Sequence, residues 1–237
     1  MGKRTPAGQP VFDPAIARLG LWSPWFRFVP FNVLFDLNPT KSPSQIIAYC
    51  GTLTRMGLYK PLGYTTKEFF SIDTKLSTTL PYRDFFNLRH ALRFGEYDGT
   101  PISKVQKIVE EFFKIQMNLL EPGEFISGDE VMIPCCGRTK LMVYIPSKPK
   151  SNGLLLRACG GSIEGRTFLI SGFLYNPKSG QTTQEMLIEM IKPYENTRRI
   201  FFCDKFYTSI DAGLELLKHG VYCHDALKNT TCLNYKI

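Results

Sequence analysis

Two aspartates in this 237-residue sequence stand in apolar surroundings, where an unpaired charge is costly. Asp204 directly follows the apolar run Ile200–Cys203, and Asp129 lies inside the apolar stretch 125–133. Carboxylate oxygens are the ligands that Mg²⁺ and Mn²⁺ prefer, and two such groups can hold cations for phosphoryl transfer. Each aspartate also has an ordinary interpretation. Asp204 could be a turn residue that accepts backbone N–H groups, and Asp129 a solvent-facing residue on an edge strand.

Strands and helices must bring the two aspartates together, and the sequence predicts such elements around both. Predicted strands cover 124–133, 140–146, 153–159, 167–175, 199–203 and 221–227, and predicted helices cover 182–191 and 209–219. This order predicts a mixed α/β sheet flanked by helices. Asp204 then lies at the carboxyl end of a parallel strand, where open sheets carry reactive groups. Alternation along the first strand places Asp129 and Ser127 on one face and Glu130 on the other.

The first half of the chain is predicted to be helical after an irregular start. Prolines and aromatic residues are frequent in the N-terminal stretch and show no clear period, which favours irregular or partly ordered structure. Helical spacing of apolar residues then predicts helices over 44–57, 82–94 and 103–120. The sequence therefore divides into an irregular Pro/aromatic-rich segment (1–60), a helical domain (61–122) and a sheet domain (123–237).

Composition excludes several classes of protein. The formal net charge of +8 allows an anionic partner. Seven cysteines without any Cys-x-x-Cys spacing argue against a disulfide scaffold and a zinc finger, and favour a reducing compartment. No apolar stretch reaches the ~18 residues of a membrane span, and the basic N-terminus is not followed by the apolar core of a signal peptide. We therefore expect a soluble intracellular protein without a membrane partner.

Two blocks around the aspartates resemble the transposase domain of the piggyBac family. The first contains an Asp-Glu pair, a Gly-Arg pair and the motif Tyr-Ile-Pro-x-Lys-Pro, here Asp129-Glu130, Gly137-Arg138 and 144–149. The second, IFFCDKFYTSIDAGLELLKHGVY, has an aspartate, Thr-Ser and a leucine-rich helix in the family's order. The stretch 82–94 resembles the helical segment that precedes the first block, so the resemblance covers roughly residues 67 to 229.

This resemblance implies a cut-and-paste DNA transposase with a ribonuclease-H-like core. It implies that Asp129 and Asp204 are catalytic residues that bind Mg²⁺ or Mn²⁺, and that the helical domain takes part in dimerisation and DNA binding. It further implies a DNA partner, either transposon ends or genomic DNA, a homodimer and a nuclear location. Five basic residues are candidates for phosphate contacts: Arg89, Arg93, Arg138, Lys140 and Lys148.

The sequence also departs from the family pattern. The family's third aspartate belongs to a later helix that we do not find, so we expect the core to be incomplete at its C-terminus and inactive alone. Asp225, in the last predicted strand, is not expected to replace it. Lys205 follows the second aspartate where the family usually has Asn, and Cys136 stands in place of an arginine. The alternative is a non-catalytic DNA-binding or protein-interaction remnant of a domesticated transposase.

Overall fold

The computed structural model describes residues 28–59, 63–135, 138–163, 165–207 and 209–224. They form two compact units, Pro30–Ile108 and a second one that runs from Val109 onward. We call them the helical unit and the sheet unit. Four residues singled out in the sequence, Cys136, Gly137, Thr208 and Asp225, lie outside the described residues.

The helical unit is built from short helices around an aromatic core. Its helices are α1 (Phe31–Leu37), α2 (Pro43–Tyr59), α3 (Thr66–Ile72), α4 (Thr74–Thr79) and α5 (Tyr82–Ala91), and α6 (Ser103–Leu119) belongs partly to each unit. Phe85 is 1% exposed, and its ring stacks on that of Tyr49 with centroids 5.1 Å apart. Phe70 packs on the same ring at 5.4 Å. These aromatic contacts hold α2, α3 and α5 together.

Helix α1 lies in the Pro/aromatic-rich stretch that was predicted to be irregular or partly ordered, and no helix was predicted there. Pro30 occupies the N-cap position and Pro39 comes after the C-cap, so the prolines flank the helix instead of interrupting it. The C-cap residue Asn38 is buried, and its Nδ2 donates to the backbone oxygens of Leu34 (2.8 Å) and Arg93 (2.9 Å). Its Oδ1 accepts the Arg93 N–H at 2.8 Å, which fixes the backbone after α5.

The sheet unit contains one mixed six-stranded sheet. Its strands are β1 (Phe125–Pro134), β2 (Val143–Tyr144), β3 (Asn152–Ile163), β4 (Arg166–Leu174), β5 (Ile200–Cys203) and β6 (Tyr222–Cys223). The order is β2-β3-β1-β5-β6, and β4 also pairs with β3. The pairs of β3 with β1, β2 and β4 are antiparallel, whereas β5 is parallel to both β1 and β6. The predicted mixed α/β sheet is confirmed.

Helices cover both faces of the sheet. Helices α7 (Thr183–Ile191) and α8 (Ile210–Lys218) bury a cluster in which Ile126 and Phe201 come from the central strands. On the opposite face, Phe113 of α6 packs on Leu156 and Ala158 of β3. The alternation of buried and exposed residues along β1 agrees with the predicted period of two.

Helices α7 and α8 each begin at a residue whose side chain caps the first turn. Thr182 and Glu185 form a capping box at α7: the Thr182 hydroxyl accepts the Glu185 N–H (3.2 Å), and the Glu185 carboxylate accepts the Thr182 N–H (2.7 Å). The hydrogen bonds that the Glu185 carboxylate accepts from the Thr182 N–H and from the Thr182 hydroxyl lower the pKa of Glu185. At α8 the Ser209 hydroxyl accepts the Ala212 N–H at 3.0 Å. The cap at Ser209 fixes where the chain turns from β5 into the helix.

Strand β2 is shorter than the sequence predicts. The predicted strand covers 140–146, whereas only Val143–Tyr144 pair with β3, at its first two residues. The division of the chain at residues 60 and 122 stays a prediction. Across the part of the chain that the structure describes, no helix combines the length and apolar character needed to cross a membrane.

Candidate metal site at the carboxyl end of strand β5

The two aspartates stand at equivalent places on neighbouring parallel strands. The register of β1 and β5 pairs Ile126 with Phe201 and ends at Gly128 with Cys203. Asp129 is the next residue of β1, which continues to Pro134, and Asp204 is the first residue after β5. Because neighbouring strands lie about 4.8 Å apart, the backbones at these two positions lie near each other, at the edge of the sheet where β5 ends.

Gly128 allows β1 to lie close against the core just before the first aspartate. A Cβ at this position would lie 2.6 Å from the methyl carbon of Met190 and would also meet the ring of Phe201. Both neighbours are almost fully buried, at 1% and 0% exposed, and cannot move away easily. The glycine is therefore required by packing.

Asp129 points to solvent from a central strand. Its side chain is 74% exposed, and its Oδ1 accepts the Glu130 N–H at 2.7 Å. The Lys148 ammonium lies 3.9 Å from the same oxygen and donates to the backbone oxygen of Glu130 at 3.2 Å. β1 pairs with β3 at Asp129, but its pairing with β5 ends at Gly128, so the ordinary interpretation of Asp129 as a solvent-facing residue agrees with its exposure.

Asp204 begins a turn through its backbone and leaves its side chain exposed. Its carbonyl oxygen accepts the Tyr207 N–H at 2.9 Å. Among the described residues, nothing donates a hydrogen bond to the Asp204 carboxylate, so a role as a side-chain turn cap is not observed. The neighbouring Lys205 is exposed, and the ammonium found near an aspartate of this pair is that of Lys148.

Sequence reasoning missed a polar network directly beneath this edge. Glu130, on the face opposite Asp129, accepts a hydrogen bond from Nη1 of Arg157 at 2.8 Å. The Tyr207 hydroxyl donates to the same Glu130 oxygen at 3.4 Å. The signal was available, because an arginine inside the apolar run GLLLRAC requires a buried partner.

The five predicted phosphate contacts are separated between the two units. Arg138, Lys140 and Lys148 belong to the sheet unit, where the first two are exposed and Lys148 is half-buried beside Asp129. Arg89 and Arg93 are exposed in the helical unit. Arg89 lies over the ring of Phe86, with 5.9 Å between the guanidinium carbon and the centroid.

The buried Cys159 does not contribute to this site. Burial raises the pKa of the Cys159 thiol to about 12, and its Sγ donates to the Met190 carbonyl at 3.4 Å. A metal ligand must be the thiolate, so Cys159 is a core residue. Across the described ranges, no group of three or more His, Cys, Asp or Glu residues could hold a metal ion.

Comparison with known proteins decides the family. A family model described as Transposase IS4, a DDE-type transposase domain, matches residues 39–232. The chain belongs to this transposase family. Transposases of the DDE type generally use a divalent metal.

A solved structure supports the same transposase fold. The cryo-EM structure of a piggyBac transposase synaptic complex with hairpin DNA is 24% identical to this chain, with a TM-score of 0.68. The match covers 80% of this chain and 42% of that one, so this chain spans less than half the length of that transposase. The predicted transposase family is confirmed, and so is the predicted fold, which is like that of a piggyBac transposase. No curated protein matches the sequence.

Proposed function

We propose that this chain is a piggyBac-like, transposase-derived DNA-binding protein in which Asp129 and Asp204 hold one divalent cation. The observation that supports this proposal most directly is the register of β1 and β5, which ends at Gly128 and Cys203, one residue before each aspartate. DNA as the partner is supported by the net charge of +8 and by the likeness to a transposase solved with hairpin DNA. A homodimer and a nuclear location, which the family resemblance implies, are part of the same proposal.

The donor set at this edge fits Mg²⁺ or Mn²⁺. Both aspartates offer carboxylate oxygens, and Mg²⁺ commonly takes one or two carboxylates while it keeps several water ligands. Asp129 is 74% exposed and Asp204 is exposed too, so both are accessible to a hydrated ion. A cation bound there would supply Lewis-acid stabilisation for phosphodiester chemistry. The Lys148 ammonium beside Asp129 is suited to contacting a phosphate that approaches this edge.

Binding of Mn²⁺ tests the two-carboxylate site. We expect Asp129→Asn and Asp204→Asn each to weaken Mn²⁺ binding by about 100-fold or more, since loss of a supporting residue alone costs about 10- to 100-fold. Titration calorimetry with the purified chain measures this directly. The matched control is Asp211→Asn, which removes an exposed carboxylate on α8 of the same unit.

The outcome that contradicts the site is specific. If Asp129→Asn or Asp204→Asn binds Mn²⁺ as tightly as the unchanged chain, that aspartate is not a ligand. Equal losses in all three variants would indicate an effect of net charge alone.

Strand cleavage by the 237-residue chain is not expected. Two-metal cleavage needs ligands for both ions, and the described residues form no group of three potential ligands. Removal of an essential group from such a site lowers rates by orders of magnitude. Incubation with supercoiled plasmid and Mn²⁺ should therefore leave the plasmid intact. Nicking that both Asp129→Ala and Asp204→Ala abolish would contradict this expectation and show a complete active site.

A further inference from the structure

Arg157 of β3 is a buried cation held by one carboxylate and three aromatic rings. Its side chain is 4% exposed, and its Nη1 donates to Glu130 at 2.8 Å. The guanidinium carbon lies 4.9 Å from the ring centroid of Tyr175, 5.2 Å from that of Tyr207 and 5.8 Å from that of Phe206. Stacking on aromatic faces favours arginine over lysine in such a place.

Stability alone does not account for this arrangement. A buried ion pair can often be replaced by well-packed apolar residues without loss of stability. The Nε of Arg157 is buried and has no hydrogen-bond partner among the described residues, which adds a further desolvation cost. The position of the pair therefore needs a reason other than packing.

The ion pair of Arg157 and Glu130 connects the backbone segments that carry Asp129 and Asp204. Glu130 is the residue after Asp129 on β1. The Tyr207 hydroxyl donates to the Glu130 carboxylate at 3.4 Å, and the Tyr207 N–H donates to the Asp204 carbonyl at 2.9 Å. Tyr207 is 3% exposed, so the turn that follows β5 is anchored in the core.

We propose that Arg157 is a positioning residue for the candidate metal site. Through Glu130 and Tyr207 it fixes the turn after β5 against β1, so that Asp129 and Asp204 stay at one edge of the sheet. The inference rests on the proposed cation site. It assigns Arg157 a supporting role that differs from the role of Asp129 and Asp204, which would bind the cation.

A double variant separates positioning from stability. Arg157→Met combined with Glu130→Leu removes the pair without leaving an unpaired buried charge, so the variant should fold and melt near the temperature of the unchanged chain. We expect the Tyr207 amide to lose its protection in hydrogen exchange, while amides in the centre of β3 keep theirs. Mn²⁺ affinity should fall by about 10- to 100-fold, the usual effect of removing a supporting residue. Arg166→Met, which replaces an exposed arginine of β4, is the matched control and should change none of these.

The two readouts distinguish failure of this inference from failure of the proposed function. Unchanged protection of Tyr207 in a folded double variant, or unchanged Mn²⁺ affinity, would overturn the positioning role while leaving the metal site intact. A chain that never binds Mn²⁺ would overturn the proposed function, and the exchange of Tyr207 would still decide whether Arg157 holds the turn. If the double variant does not fold, the Tyr207→Phe variant is used. It removes only the hydroxyl contact with Glu130, and unchanged Mn²⁺ affinity there would overturn the inference.

Discussion

Raising the salt concentration from about 50 to about 200 mM should weaken DNA binding by this chain roughly 500-fold. Each neutralised phosphate contributes about −0.9 to the slope of log affinity against log salt, so five contacts give a slope of roughly −4.5. The five residues are Arg89, Arg93, Arg138, Lys140 and Lys148. Fluorescence anisotropy with a labelled DNA duplex at several salt concentrations measures the slope.

Single substitutions show which of these residues contact DNA phosphates. Arg138→Gln and Lys140→Gln should each reduce the slope by about 1 and weaken binding to all sequences about equally. Arg89→Gln tests the helical unit in the same way. Lys218→Gln is the control, because this lysine is 71% exposed but already pairs with Glu215 at 2.7 Å. A slope near zero would contradict phosphate binding and favour the protein-interaction alternative.

Replacing Phe201 with alanine should lower the free energy of unfolding by about 3–5 kcal/mol, as for other buried phenylalanines. Phe201 is 0% exposed, lies opposite Ile126 in the register of β1 and β5, and fills the space beside Gly128. Its removal leaves a cavity that the strand pair and α7 cannot close without shifting. Urea unfolding of the purified chain measures the change.

Phe202 provides a matched control on the same strand. Its side chain lies on the opposite face and is only half-buried, with its ring 5.9 Å from Phe125 and 5.0 Å from His224 between centroids. Phe202→Ala should cost about 1 kcal/mol, the value of an aromatic pair. Similar losses for both variants would contradict the assignment of the core to the face of Phe201.

Local sequence patterns were enough to predict most of the helices and strands. The helices at 182–191 and 209–219 were predicted from caps and apolar spacing, and the structure has them at Thr183–Ile191 and Ile210–Lys218. Both signals depend only on residues a few positions apart, which is why the sequence reveals them. Helix α1 was missed because prolines were taken to disrupt the stretch, whereas their positions at its two ends permit a helix.

By itself, the sequence pointed to Asp129 and Asp204 as candidate site residues, predicted the strands around them and indicated the family. It did so because an apolar run ending in a carboxylate is a local feature. Only the tertiary structure decided the register that places Gly128 opposite Cys203, and the burial of Arg157 against Glu130 and Tyr207. Glu130 is 27 residues from Arg157 and 77 from Tyr207. Contacts over such separations depend on how the strands pair and pack, and periodicity along one segment does not specify them.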